Sequence, residues 1–305
     1  MYVLCTGGAG FVGSHLVDRL CYEGHTVTVL DDLSSGSKKN LNRDANLIVA
    51  DVSNQKTWEN LGPHDFVFAL ACYPRSTSLQ NPYQDLQVNY LATLHALEYA
   101  KPNRTPIVYA SNTGIVSNPT TLPVNEKFPD KPTTPYDLHK LSSEHLFRIY
   151  REQFDVPTLV FRFASVYGPR QVCHENINWH PIIPHFLKLI RRNEPPTIDG
   201  DGEQTRDFVY VSDIVNGLIL GMKGLRNGRI FNSKIILGTN KETTVNELWE
   251  QIALITRSKL APKHGLPRPA DIQRMRYDTR LAQKELGWKA KIGLMNGLRR
   301  TINEV

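Results

Sequence analysis

The 305-residue chain is 40% hydrophobic and 22% charged, with 20 Gly and 19 Pro, a balance that excludes disordered and collagen-like chains. Its 36 Lys and Arg against 30 Asp and Glu leave a net charge of +6, which suits an anionic small molecule. The basic residues are scattered and no Lys/Arg run appears, so nucleic acid is not an expected partner.

Tyr2 to Cys5 is short and apolar and reads as a strand. Gly7, Gly8, Gly10 and Gly13 follow at once, and Phe11, Val12, Leu16, Val17 and Leu20 then recur at helical spacing. Gly24 ends that helix, and His25 to Leu30 is a β-branched strand. Ala45–Ala50 and Phe66–Ala71 are further strands, the second apolar enough to be buried on both faces. Leu86–Ala100 is predicted as a helix with Val88, Leu91, Leu94 and Leu97 along one side. Ile107–Ala110 is a strand. Tyr136–Phe154 is a long helix entered through the Pro-rich segment around Pro132 and Pro135, and Thr158–Phe163 is a strand after it. After Tyr167 the pattern weakens. Residues 168–206 are rich in Pro, Asn, His and Gly, with one clear helix at Ile182–Arg191, and a Pro and basic cluster spans Pro262–Pro269.

Alternating strands and helices predict an α/β fold: a Rossmann doubly wound parallel sheet with a smaller mixed α/β substrate lobe built from the C-terminal part. Residues 1–166 are expected to form the Rossmann domain, with roughly 207–235 returning to it, while 167–206 and 236–305 form the lobe. The chain opens on an apolar strand rather than a basic leader, and no apolar stretch reaches bilayer length, so a cytoplasmic protein without a membrane partner is expected. Cys5, Cys21, Cys72 and Cys173 lack Cys-x-x-Cys spacing, which predicts a reducing compartment and no disulfide framework. The ten histidines show no zinc spacing; His174, His180 and His185 read as loop or surface residues, and no metal is expected.

The segment Thr6-Gly7-Gly8-Ala9-Gly10-Phe11-Val12-Gly13 satisfies both G-x-G-x-x-G and G-x-x-G-x-x-G. Each spacing serves a tight turn, close approach of backbone to a pyrophosphate and close packing of helix on strand. Helix-start N–H groups then face the phosphates. A strand precedes the turn, a helix follows it, and Asp31 lies 18 residues beyond Gly13 at the end of the next strand. A carboxylate there accepts from an adenosine ribose and repels a 2′-phosphate, which favours NAD over NADP. This context disfavours the alternative of a structural turn followed by a surface acid. Asp51 is placed to hold the adenine edge, with an ordinary loop acid as the alternative.

Tyr136 and Lys140 are four residues apart and share one helix face. An ammonium near a phenol favours the phenolate, and a positive nicotinamide ring pushes the same way. A tyrosine with an ordinary pKa of about 10 then exchanges a proton with a sugar hydroxyl near neutral pH.

These motifs resemble the extended short-chain dehydrogenase/reductase family, and within it nucleotide-sugar epimerases of the UDP-galactose 4-epimerase type. The matching segments are TGGAGFVGSHL from Thr6, DDLSSG from Asp31, YASNTGIV from Tyr109, YDLHK from Tyr136, RFASVYGPRQ from Arg162, GDGEQTRDFVYVSDIV from Gly200, RPADI from Arg268 and ELGW from Glu285. The resemblance implies Tyr136 as acid–base, Lys140 as its tuning group on the nicotinamide ribose, and Thr113 as the residue bonding the reacting sugar hydroxyl. It implies an NAD site of Gly7, Gly10, Phe11, Val12, Gly13, Asp31, Asp32, Asp51, Val52, Leu70, Ala71, Asn89, Tyr136, Lys140 and Phe163. For a nucleotide-diphosphate sugar, UDP-linked in these relatives, it implies Thr113, Ser165, Arg206, Arg268 and Asp271, with the two arginines gripping the diphosphate. It also implies a homodimer joined through helices 86–100 and 136–154.

Four departures bear on the substrate. Ser117-Asn118 stand where the family has Tyr-Gly, Ser165 replaces an Asn, Phe68-Ala69-Leu70-Ala71 replaces His-x-Ala-Ala, and Arg-Pro-Gly-Asp appears as Arg268-Pro269-Ala270-Asp271. Met275 stands where relatives vary a residue beside the sugar. The expected activity is 4-epimerisation through a transient 4-keto sugar. Dehydratases carry Asp-Glu after the catalytic Thr and decarboxylases a Glu, whereas Gly114 and Ile115 follow Thr113 here. A UDP-glucuronate 4-epimerase, which needs the same core, stays open. A non-catalytic NAD-sensing or RNA-binding protein on this fold is disfavoured by Thr113, Tyr136 and Lys140.

Overall fold

The computed structural model describes residues 1–173, 180–229, 234–267 and 271–304. The chain opens with β1 (Tyr2–Thr6), α1 (Phe11–Tyr22), β2 (Thr26–Asp31) and β3 (Asn46–Val49). Next come α2 (Gln55–Glu59), β4 (Phe66–Ala69), α3 (Pro82–Leu86), α4 (Ala92–Ala100), β5 (Ile107–Asn112), α5 (Pro135–Phe154) and β6 (Thr158–Phe163). The later chain adds β7 (Ser165–Tyr167), α6 (Ile182–Arg191), β8 (Thr197–Asp199), β9 (Thr205–Arg206), β10 (Phe208–Tyr210), α7 (Val211–Arg226) and β11 (Lys234–Leu237). It ends with β12 (Thr243–Thr244), α8 (Val245–Thr256), β13 (Lys263–Gly265), α9 (Arg280–Leu286) and α10 (Leu294–Asn303).

The central sheet has seven parallel strands in the order β11-β6-β5-β4-β1-β2-β3. Strand side chains alternate between faces, and both faces are covered. Val3 and Cys5 of β1 pack with Leu16, Val17 and Leu20 of α1 and with Ile214, Leu218 and Met222 of α7. Leu4 points the other way, into a cluster with Ala96 and Leu97 of α4 and Phe147 of α5. The fold is therefore the expected doubly wound α/β sheet. The chain runs outward from β1 to β3 and crosses back to β4. The strand order thus reverses between β1 and β4, where such folds bind ligands beyond the carboxyl ends of the strands.

The helix predicted over 86–100 begins earlier and turns a different face inward. Asn81 Oδ1 accepts from Gln84 N at 3.1 Å, Pro82 occupies the first turn, and a π-helical turn over Gln87–Leu91 joins α3 to α4. The wider turn shifts the phase of the helix. The buried side carries Asp85, Asn89, Thr93, Ala96, Leu97 and Ala100, while Val88, Leu91 and Leu94 are half-buried.

The weak pattern after Tyr167 conceals many elements. Strands β7 to β10, β12 and β13 have two or three residues each, too few to show a period. A separate core gathers Phe186 and Ile198 with Phe208, Trp249 and Leu298. Meanwhile α7 packs on α1, and β11 pairs with β6 at the sheet edge.

Candidate active site

The carboxyl ends of the central strands open into a cleft of about 870 Å³, within the roughly 300–1,000 Å³ common for small-molecule sites. Gly7, Gly10, Phe11, Val12 and Gly13 form one wall. Glycine is required here by close approach. Gly7 has φ +67°, and a Cβ on it would stand 2.7 Å from Ala71 N; a Cβ on Gly13 would run into the Gly7 carbonyl oxygen. Gly10 caps α1, whose first-turn N–H groups have no intrahelical acceptor.

Asp31 ends β2 and is buried. Its Oδ2 accepts from Ala9 N and its Oδ1 from Leu33 N, both at 2.9 Å. Burial pushes its carboxyl above the usual range, against the pull of those two amides. Asp31 thus clasps the glycine turn while lining the cleft, and each oxygen keeps a second lone pair. Asp32, Asp51, Val52, Leu70, Ala71 and Phe163 also line the cleft. Asn89, expected among the cofactor contacts, does not. Its Oδ1 accepts from Tyr73 N and its Nδ2 donates to Tyr73 O and Asp85 Oδ2, at 3.0–3.1 Å. Its amide is consumed in bracing the loop that carries Cys72 to Pro74.

Tyr136 and Lys140 both line this cleft. Thr134 caps α5 by accepting from Asp137 N at 3.2 Å, and Pro135 begins the helix, so Tyr136 lies in its first turn. Lys140 donates from Nζ to Ala110 O at 2.9 Å and sits 4.7 Å from the Tyr109 ring centroid and 5.7 Å from that of Tyr136. Burial draws the Lys140 ammonium down, but Cys72, Tyr109 and Asp85 more than offset it, and the net direction is up. Burial pushes the Tyr136 phenol well above its ordinary value, reinforced by Cys72, Tyr109 and Asp137.

Sequence reasoning missed three features around Tyr136 and the end of β5. The Cys72 thiol donates to Tyr136 Oη at 3.5 Å. Asp137, fully buried, takes a two-pronged ion pair from Arg75 at 2.9–3.2 Å and accepts from Thr134 Oγ1 at 2.8 Å. Asn112 closes β5 with a buried Nδ2 that has no hydrogen-bond partner. An acid directly after the tyrosine was the available signal for the second. Thr113, expected at the sugar hydroxyl, is buried with its Oγ1 donating to Phe163 O at 3.0 Å, and it does not line the cleft.

A second pocket of about 590 Å³ adjoins the smaller core. Ser165, Arg206 and Asp271 line it. Arg206 donates from Nη2 to Asp271 Oδ1 and from Nη1 to Ile272 O, both at 2.6 Å. Arg268 and His174 lie outside the described residues. His180 and His185, read as loop or surface residues, line this pocket with rings stacked 5.2 Å apart. Met275 is buried in the large core and lines neither pocket. Asn118 fastens the segment after β5 to the loop that carries Asp271: its Oδ1 accepts from Gln273 N at 2.7 Å and its Nδ2 donates to Asp271 O at 3.1 Å. Among the described residues, no helix is long and apolar enough to cross a membrane.

A doubly wound sheet with a glycine turn, a strand-end acid and a Tyr-x-x-x-Lys pair on one cleft defines a dinucleotide-dependent enzyme of the short-chain dehydrogenase/reductase class. Residues 3–233 match the NAD dependent epimerase/dehydratase family, and the chain belongs to that family. It is similar to the UDP-glucose 4-epimerase of Mycolicibacterium smegmatis, with 33% identity over 99% of this chain and 97% of that one. It is equally similar, at 33% over 98% of this chain and 71% of the relative, to UDP-glucuronic acid decarboxylase 1 of Danio rerio. In structure it resembles the UDP-glucose 4-epimerase of Thermotoga maritima solved with UDP-glucose (TM-score 0.94, 32% identity, 100% of this chain and 98% of that one). The protein is an enzyme whose cofactor is NAD.

Proposed function

We propose that the protein is a nucleotide-sugar 4-epimerase of the UDP-glucose/UDP-galactose type, with Tyr136 as its acid–base group. The observation that carries this reading is the placement of Tyr136 and Lys140 together on the wall of the dinucleotide cleft. Gly7, Gly10 to Gly13, Asp31, Asp32, Asp51, Val52, Leu70, Ala71 and Phe163 hold the cofactor, which when bound accepts and returns hydride at the sugar carbon. Lys140 is anchored to Ala110 O and keeps its positive charge against the phenol rings. Tyr136 removes the C4 hydroxyl proton, and the same phenol returns it after the keto-sugar has turned. The free phenol is held high by burial, so the positive nicotinamide ring has to bring it toward neutrality.

Ser165, Arg206, Asp271 and Arg268 are assigned to the nucleotide diphosphate, and they anchor it while the sugar rotates. A decarboxylase or dehydratase needs a free acid after β5. Asp137 Oδ1 does come within 3.2 Å of where a Gly114 Cβ would stand. It is clamped by Arg75 and Thr134 and sealed from solvent, so it is not available to move a proton during elimination. That favours epimerisation, of neutral sugars or of UDP-glucuronate. Incubation with a panel of UDP-sugars, followed by NMR, should show interconversion at C4 with no accumulating NADH. A deoxy-keto product or released carbon dioxide would sink the assignment.

We propose a homodimer joined through helices 86–100 and 136–154; Tyr83 and Leu86 of α3 and Leu138, Ile149 and Phe154 of α5 are exposed. Such apolar clustering marks an interaction face. Sedimentation should return twice the chain mass, and Leu138→Glu should return one chain mass.

A further inference from the structure

We propose that Arg75 is a positioning residue for the reaction: its fork on Asp137 holds the first turn of α5 and neutralises the carboxylate that follows Tyr136. The inference rests on the epimerase reading above and names a residue that acts through its acid–base group.

Arg75 stands on the loop after β4. Its Nε donates to Asp137 Oδ1 at 3.0 Å and to Oδ2 at 3.2 Å, and its Nη2 donates to Oδ2 at 2.9 Å. Thr134 Oγ1 donates to the same Oδ2 at 2.8 Å. Asp137 is sealed from solvent, while Arg75 is partly exposed. Stability alone does not explain such a pair, because taking charges out of water costs much of what their attraction returns. Its surroundings point to the cleft. Cys72, Tyr73, Pro74 and Thr77 of the same loop line it, and the Cys72 thiol reaches Tyr136 Oη at 3.5 Å. Asn89 braces that loop through both backbone groups of Tyr73. Gly114 leaves the pair its room: a Cβ there would stand 3.2 Å from Asp137 Oδ1 and 3.6 Å from Arg75 Nε.

Charge gives the pair its use. Tyr136 takes a proton only as the phenolate, and a negative neighbour opposes that form. The groups around the phenol are Cys72 from the loop after β4, Tyr109 from β5, and Asp137 and Lys140 from α5. After burial, Cys72, Tyr109 and Asp137 all push it up. The Lys140 ammonium pulls the other way, and Arg75 offsets Asp137. Burial draws the Arg75 guanidinium down, but Asp137, Tyr136 and Asp271 more than offset it, so the cation keeps its charge. The attraction between Arg75 and an ionised Tyr136 is mutual, and it favours the phenolate as well. No proton passes through the pair: Arg75 is a fixed cation, and transfer stays between the sugar hydroxyl and Tyr136.

The test follows kcat/KM against pH for Arg75→Ala, Arg75→Lys, Asp137→Asn and the double variant Arg75→Ala/Asp137→Asn. It uses the NAD-loaded full chain and whichever UDP-sugar the wild type epimerises. Thermal midpoint and bound NAD are measured beside it, and the phenolate absorbance of each variant is titrated against the same variant carrying Tyr136→Phe. Arg75→Ala leaves the Asp137 charge bare, which opposes the phenolate. The acid limb of kcat/KM and the absorbance midpoint should both move up by on the order of one pH unit, about a tenfold loss in rate below the limb. Arg75→Lys restores the charge and should bring the limb most of the way back. Asp137→Asn should move it down, and the double variant should return it toward the wild-type position. Lost stability with an unmoved limb in Arg75→Ala and Asp137→Asn makes the pair structural and overturns the inference, as does an equal upward move in Arg75→Lys and Arg75→Ala. If Arg75→Ala does not fold, Asp137→Asn decides alone, with the opposite sign. A wild type that epimerises no UDP-sugar breaks the underlying reading instead; the absorbance titration needs no turnover and still decides this inference.

Discussion

The two pockets lie in one molecule but are built differently. The dinucleotide cleft takes its glycine wall from seven consecutive residues, Gly7 to Gly13, and its Tyr-Lys pair from one turn of α5. The second pocket draws Ser165 from β7, His180 and His185 from around α6, Arg206 from β9 and Asp271 from a loop. Chemistry held by contiguous chain survives as a spacing that can be read. Chemistry assembled from two- and three-residue strands exists only once a separate core, around Phe186 and Trp249, has brought the pieces together.

Four experiments break or sharpen that comparison. The largest effect belongs to Tyr136→Phe, on the first side. Loss of a general acid–base group costs on the order of 10²–10⁴-fold in kcat, with NAD still bound; turnover near wild type would remove the proposed mechanism. Next is a reciprocal pair. Gly13→Ala pushes a methyl into the Gly7 carbonyl. Overpacking of about 1–3 kcal/mol should weaken NAD by roughly 5- to 150-fold and leave UDP affinity unchanged. Arg206→Ala leaves Asp271 without its guanidinium. Loss of charge-assisted hydrogen bonds of about 1.5–3 kcal/mol should weaken UDP by roughly 10- to 150-fold and leave NAD affinity unchanged. Calorimetry with each ligand reads both, and crossed effects would mean that the pockets are not independently held.

A pH effect comes third. Without cofactor the Tyr136 phenol is held well above 10. Ionisation makes it negative, so an adjacent positive ring stabilises the ionised form and lowers the pKa. The phenolate absorbance of wild type minus Tyr136→Phe should therefore titrate at lower pH with NAD bound than without it. No shift, or an upward one, would place the nicotinamide away from the phenol. The smallest effect lies outside both pockets. Ser117 has φ 60° and ψ −135°, a region that costs a residue with a Cβ about 1–3 kcal/mol. Ser117→Gly should raise stability by about 0.5–1 kcal/mol, since glycine's looser unfolded chain offsets part of the relief. Chemical denaturation reads it, and a lower midpoint would show the serine side chain to be needed.

Legibility followed the same divide. The parallel sheet, the glycine turn, Asp31 and the Tyr136/Lys140 face were readable because each depends on neighbours within a few residues. Thr113 and Asn89 were read by position in a motif, and the fold adds partners that the motif does not carry. Thr113 turns to Phe163, and Asn89 is spent on Tyr73 and Asp85. Arg75 meets Asp137 across 62 residues, and no local pattern announces such a pair.

From its order of residues alone this chain determined a nucleotide cleft: a close-packed glycine turn, a strand-end carboxylate and a phenol one helical turn from an ammonium. Tertiary structure decided which polar groups are already paired in the folded chain. Burial and long-range pairing consume some donors, as at Thr113, and leave others unspent, as at Asn112. Whether a hydrogen bond is already made depends on distance in space, which spacing along the chain does not carry.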